Sequence, residues 1–122
     1  MSTIRLLLIL IAFTTTACAT PPQAAGPSAQ AVSVLESRGA HTCTPAIASA
    51  LADEGIDPSS VTNVSISDER REPGTTDDVL AYIAWMRLEG QPGHLVASLD
   101  GFCRVRDVYT RGGAQVAGVS SY

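Results

Sequence analysis

Three cysteines, two histidines and eight arginines are the residues of this chain with the most chemistry to offer. Nucleophilic catalysis needs a Ser, Cys or Thr beside a histidine that a carboxylate orients. No G-x-S-x-G or comparable motif supplies that arrangement. His41 stands just before an expected helix and His94 at the start of an expected strand, so both are read as solvent-facing. Asp53-Glu54 and Asp77-Asp78 are paired acids, but they fall at expected element edges, where solvated charge is ordinary. A metal site needs more ligands than two separated histidines, and no C-x-x-C is present. The expectation is a non-enzymatic chain that uses neither metal nor cofactor.

The arginines carry the better lead. Arg104 and Arg106 alternate outward on an expected last strand. Arg87, with Trp85 and Ile83, lies on the outward side of the long strand before it, and Arg111 follows. Arg and Trp are the residues enriched where interfaces concentrate their energy, and guanidinium forks suit carboxylate or phosphate partners. The competing reading is a solvated face whose arginines pair across strands with Glu89 or Asp68. With a net charge of −4 and no lysine, the chain lacks the clustered basic excess that nucleic-acid binding needs. Exclusive use of Arg also follows from GC-rich coding.

The first residues supply an address. Arg5 precedes an apolar run from Leu6 to Phe13 and then small residues, which is the order of a secretory signal. The run is short of the roughly 20 apolar residues that span a bilayer. Thr15-Thr16-Ala17-Cys18 resembles a bacterial lipobox, departing from it at Thr15, where Leu is usual. That resemblance implies cleavage before Cys18 and acylation of Cys18, with enough acyl chains for stable anchoring. Ala19 after the cysteine resembles the sorting signal for the outer membrane. The rival is ordinary cleavage after Ala19, since Ala17-Cys18-Ala19 also fits an A-x-A site, and it would leave a soluble periplasmic or secreted protein. Residues 19–30 are Pro, Ala, Gly, Ser, Thr and Gln without charge, a tether composition that favours the anchored form. The expected organisation is a signal peptide over 1–17, a lipidated Cys18 and tether over 18–30, and one domain over 31–122.

Either cleavage leaves Cys43 and Cys103 as an even pair in an oxidising compartment. A bridge would close a loop of about 60 residues and contribute roughly 4 kcal/mol, comparable to the whole net stability of a small domain. Two buried free thiols, or a metal or redox site, are the other readings.

The elements that must position these groups follow from pattern. Ala31–Ser37 is expected as a short helix ending at Gly39. Thr44 as N-cap, Pro45 at the first helical position and Gly55 beyond the end delimit a helix over Pro45–Glu54. Asp57 to Ser60 is turn chemistry, Val61 to Ser67 alternates as a strand, and Asp68 to Asp78 is a loop or hairpin end. Val79–Glu89 carries helix caps but strand-forming residues, and strand is favoured. His94–Leu99 alternates, and Asp100-Gly101 predicts a two-residue type I′ turn. The return strand, Phe102–Thr110, then has Cys103, Val105 and Tyr109 inward, with Arg104, Arg106 and Val108 outward; the tail beyond Gly113 is expected loose. The sum is an α+β fold: one or two N-terminal helices packed on a three- to four-stranded antiparallel meander and stapled by one disulfide. Its core would set Ile47 and Leu51 on Val64, Ile66, Leu80, Tyr82, Leu95, Leu99 and Val105.

This order of lipobox, tether, helix and antiparallel sheet resembles the small outer-membrane lipoproteins that serve as accessory subunits of envelope assembly machinery. The segment from Cys103 to Gly113 also looks like the tail of short alphaproteobacterial lipoproteins, a grouping that implies an address and no activity. The expected role is a non-catalytic interaction module, facing the periplasm from the outer membrane. It would be held to the membrane through Cys18 and bind an envelope protein or an anionic envelope polymer through Trp85, Arg87, Arg104, Arg106 and Arg111. The alternative is a periplasmic or secreted inhibitor of a hydrolase.

Overall fold

The computed structural model describes residues 26–72 and 78–122. The signal segment, Cys18 and most of the expected tether lie outside the described residues, as does part of the expected 68–78 loop. Helix α1 spans Ala29–Gly39, so it begins inside the stretch expected as tether. Ser28 sets that start: its Oγ accepts the Ala31 N–H at 3.1 Å. Leu35 is its buried residue. At its far end Gly39 lies so close to the first strand that a Cβ there would collide with the Val64 carbonyl oxygen.

Helix α2 spans Thr44–Asp53, one residue earlier than the capping signals predicted, with Cys43 at the N-cap and Pro45 in the first turn. Thr44 does not cap the first turn. Its Oγ1 accepts the N–H of His41 at 3.1 Å, while Nδ1 of His41 accepts the N–H of Cys43 at 3.0 Å. His41 therefore corrects the solvent-facing expectation: it is half-buried and sets its ring edge-on to Tyr82, with centroids 4.9 Å apart. Ile47, Ala48, Ala50 and Leu51 are the apolar residues that α2 buries.

The sheet has five strands rather than three or four: β1 Val61–Arg70, β2 Val79–Leu88, β3 His94–Asp100, β4 Val105–Arg111 and β5 Ser120–Ser121, in chain order across the sheet. All pairs are antiparallel except β4 with β5. Residues 79–88 are a strand, because the period-2 set Tyr82, Ala84, Met86 and Leu88 meets the helices. Leu80 shares their parity but is 48% exposed, outside the core expected for it. Fully burying a Leu, Ile or Met side chain is worth about 1.5–3 kcal/mol. The core gathers Leu35, Ile47 and Leu51 from the helices against Val64, Met86, Leu95 and Leu99 from the sheet.

The tail is not loose. From Gly112 the chain crosses the helix side of the sheet, burying Ala114 and packing Val116 and Val119 on the core. It then adds β5 beside β4. Buried Thr110 holds that strand: its hydroxyl lies 2.9 Å from Ser121 Oγ, and its carbonyl accepts the Tyr122 N–H at 2.9 Å.

Cys43 and Cys103 form the disulfide, with Cα atoms 5.1 Å apart and Cys43 fully buried. Cys103 sits not in the last strand but in the turn before it, in the left-handed region at φ +62. Asp100-Gly101 does not build a type I′ turn. The Cys103 N–H donates to the Asp100 carbonyl and the Asp100 N–H to the Arg104 carbonyl. This is the three-residue hairpin in which a type I turn precedes a left-handed residue. Cys103 takes the left-handed place, and Gly101 is needed because a Cβ there would strike the Val79 carbonyl oxygen.

Candidate interaction surface

Both helices and the 112–119 crossover lie on one side of the sheet, so every second strand residue faces the other way. Among the described residues no helix or loop covers that second face. Its composition follows from register. Asn63 pairs with Arg87, Ser65 with Trp85 and Ser67 with Ile83 across β1 and β2. Trp85 pairs with Val96, and Ile83 with Ser98, across β2 and β3. Val96 pairs with Tyr109, and His94 with Arg111, across β3 and β4.

Three rows result. Trp85, Val96 and Tyr109 form an apolar belt across the middle strands. Arg87, His94 and Arg111 border it on one side, and Ile83, Ser98 and Asp107 on the other. Val96 is fully buried, although it belongs to this uncovered face and not to the core beneath the helices. Its register partners are Trp85 on one side and Tyr109 on the other. Trp85 meets His94 edge-to-face at 5.6 Å, and Tyr109 meets Tyr122 in the same way at 5.6 Å. Such perpendicular pairs are the favoured geometry of aromatic quadrupoles. His94 thus packs against Trp85 rather than standing free in solvent.

No family model matches the chain, and no curated protein or solved structure resembles it closely enough to count as a match.

The five expected surface residues divide. Trp85, Arg87 and Arg111 share the open face; Arg104 and Arg106 stand at the opposite end of the sheet, beside the β3–β4 turn. Two causes separate them. Ser98 pairs with Asp107 but Leu99 with Val105, so Arg106 is an extra residue in a bulge. The bulge shifts parity, so Val108 turns to the core side and Tyr109 to the open face, the reverse of the expected pattern. The second cause is Asp100, whose side chain is 13% exposed. Its Oδ1 accepts the N–H groups of Phe102 and Arg104, both at 2.9 Å. Its Oδ2 accepts from Arg104 Nε at 2.7 Å and from Arg106 Nη2 at 3.1 Å. Burial alone would raise this carboxyl's pKa. The two backbone bonds, with the bond and charge of Arg104, overcome it and bring the pKa from 3.8 to about 2. Arg104 also lies over the exposed Phe102 ring, 5.4 Å from its centroid.

Arg87 and Arg111 are both exposed and, among the described residues, neither guanidinium meets a carboxylate. Glu89 and Asp68, the partners considered from sequence, do not pair with them; Asp68 holds Arg70 instead, at 2.6 Å. Beyond this face, a shallow groove of about 590 Å³ runs between α2 and β4 over Ala46, Ala50, Val105 and Val108, with Asp53 and Glu54 on its helix rim. Neither histidine lines it. Among the described residues no three His, Cys, Asp or Glu side chains gather in a metal-binding group. No described helix is long and apolar enough to cross a membrane.

Sequence reasoning missed Val96, Tyr109 and Tyr122 as members of the face. Alternation along β3 does place Val96 opposite Leu95 and Ala97. The Arg106 bulge and the parallel return of Tyr122 depend on tertiary pairing and leave no local pattern.

Proposed function

We propose that this chain is a non-catalytic interaction module of a bacterial cell envelope, held to the outer membrane by lipid on Cys18 and meeting its partner with the open face of the sheet. The lipobox-like Thr15–Cys18 segment and the Pro/Ala-rich stretch behind it support the anchor. One observation carries the binding role. Among the described residues, the face that no helix or loop covers bears an aromatic belt bordered by two guanidinium groups that meet no carboxylate, in a chain whose net charge is −4. A face with no role beyond solvation has no need of Trp85, Tyr109 and Tyr122 together. Trp, Tyr and Arg are the residues that dominate binding energy where partners meet.

Intact mass of the membrane-extracted protein, combined with photocrosslinking from single positions, tests both halves. The expected mass is that of a chain beginning at acylated Cys18 with its remaining thiol pair oxidised. Crosslinks are expected from Ser65 or Ser98 on the open face and not from Ser49 on α2. A mass matching cleavage after Ala19 without acyl groups would overturn the anchor. Crosslinks confined to Ser49 would overturn the face.

A further inference from the structure

The shape and chemistry of the open face narrow the kind of partner it takes. The belt and its arginine border cross from β1 to β4, strands spaced about 4.8 Å apart, and are two rows deep at about 6.8 Å per row. That is a strip on the order of 15 Å by 14 Å. A stable contact with a folded protein removes about 800 Å² from each partner, several times this area. The strip is the size of a short segment of one chain laid across the strands.

An extended peptide is a poor occupant. Strand backbone groups in the interior of the sheet are spent in the ladder, and peptides that add to sheets do so along an edge, where free N–H and C=O groups remain. Laid on the face, a peptide would gain no ladder hydrogen bonds and would meet the sheet through its side chains alone. A sugar chain brings different requirements. Its C–H faces need flat apolar rings, which Trp85, Tyr109 and Tyr122 provide. Its hydroxyls need short polar side chains; Asn63 and Ser65 stand beside Arg87 and Trp85 in register, and Ser98 stands beside Ile83 in the adjoining row. Arg87 and Arg111 then require the sugar chain to carry anionic groups, and a carboxylate matches a guanidinium fork.

We infer that the open face is a binding site for a linear glycan bearing carboxylates, with the rings stacking on sugar faces and Arg87 and Arg111 each pairing with a carboxylate. This rests on the interaction-module reading above and names the partner's chemistry.

Trp85 is the sole tryptophan of the chain, so its fluorescence reports on the site directly. The full-length mature protein is titrated with a short oligogalacturonate, with the neutral methyl ester of the same oligomer, and with poly-glutamate of similar length. Saturable change in Trp85 emission is expected with the first alone. Arg87→Ala and Arg111→Ala should each weaken it roughly tenfold, the scale of one charged hydrogen bond. Tyr122→Ala should weaken it less. Arg104→Ala and Arg106→Ala, at the other end of the sheet, should leave it unchanged. Absence of a saturable change, equal binding of the ester, or full affinity in the Arg87→Ala, Arg111→Ala double variant with unaltered circular dichroism would overturn the inference. Equal or tighter binding of poly-glutamate would overturn it in favour of an acidic peptide. Loss of glycan binding with crosslinks from Ser65 intact would remove the glycan and leave the interaction module standing.

Discussion

Two pairs of arginines sit at opposite ends of the same sheet and do opposite work. Arg104 and Arg106 converge on Asp100 and close the β3–β4 turn, although their side chains are 69% and 65% exposed. Arg87 and Arg111 border the aromatic belt and, among the described residues, meet no carboxylate. Residue type is constant across the two pairs, and so is rough exposure. What differs is whether the chain delivers an acid to the same place. Asp100 is fixed by backbone donors from its own turn and so is already oriented when the guanidiniums arrive. At the other end the strand neighbours are Asn63 and His94, and neither neutralises a cation by ionising. A guanidinium that no described carboxylate meets is the one the proposed binding role draws on.

The sharpest way to break the comparison is at the turn. Replacing Cys43 and Cys103 together by Ala should cost about 2–5 kcal/mol in denaturant unfolding. The Cys43→Ala, Cys103→Gly pair should recover about 1–2 kcal/mol of that loss, since glycine holds a left-handed φ without penalty. Equal stability of the two pairs would show that the turn relaxes once the bridge is gone. Next in size is Gly101→Ala, expected to cost about 1–3 kcal/mol because the added methyl displaces the Val79 backbone. Thermal unfolding reads it, and binding at the Arg87–Arg111 end should persist below the lowered Tm.

Asp100 gives a smaller, pH-dependent effect. Its carboxyl has a lower pKa folded than unfolded, about 2 against 3.8. Its contribution is therefore complete above pH 4 and lost as pH falls from about 4 through 2. Asp100→Asn should lower Tm at neutral pH and flatten the Tm-versus-pH curve across that window. An unchanged curve would show that the Arg104–Asp100–Arg106 cluster does not hold the turn. Smallest in stability is Arg87→Glu with Arg111→Glu, expected to stay within about 0.5 kcal/mol of the parent in unfolding while removing binding at the open face. A large loss of stability there would mean that these arginines are structural after all, and the contrast between the two ends would vanish.

The sequence made α2, the strand identity of 79–88 and the Cys43–Cys103 bridge legible because each has a local or countable signal: Pro45 and Gly55 as punctuation, period-2 burial, and two cysteines beyond the N-terminal signal-like segment. Half of the candidate surface was legible for the same reason, since Ile83, Trp85 and Arg87 alternate with Ala84 and Met86. The rest depends on events with no local trace. The bulge at Arg106 exists only relative to Ser98 and Leu99 on the partner strand, yet it exchanges the faces of Val108 and Tyr109. Asp100-Gly101 carries the residues of a two-residue turn, but the approach of Val79 from β2 and the bridge at Cys103 select a longer one. The return of Ser120–Tyr122 beside β4 rests on the buried Thr110 hydroxyl, whose worth cannot be read before its burial is known.

A five-stranded sheet has two borders, and unguarded borders recruit strands from other molecules. Here β5 closes one with two residues. On the other, the end of α1 presses Gly39 against Val64, and β1 finishes in Asp68, Glu69 and Arg70 with a register irregularity between the last two. Neither border offers a long, flat, uncharged template. Copies of this domain that collide edge to edge therefore have little to zip together into a continuous sheet.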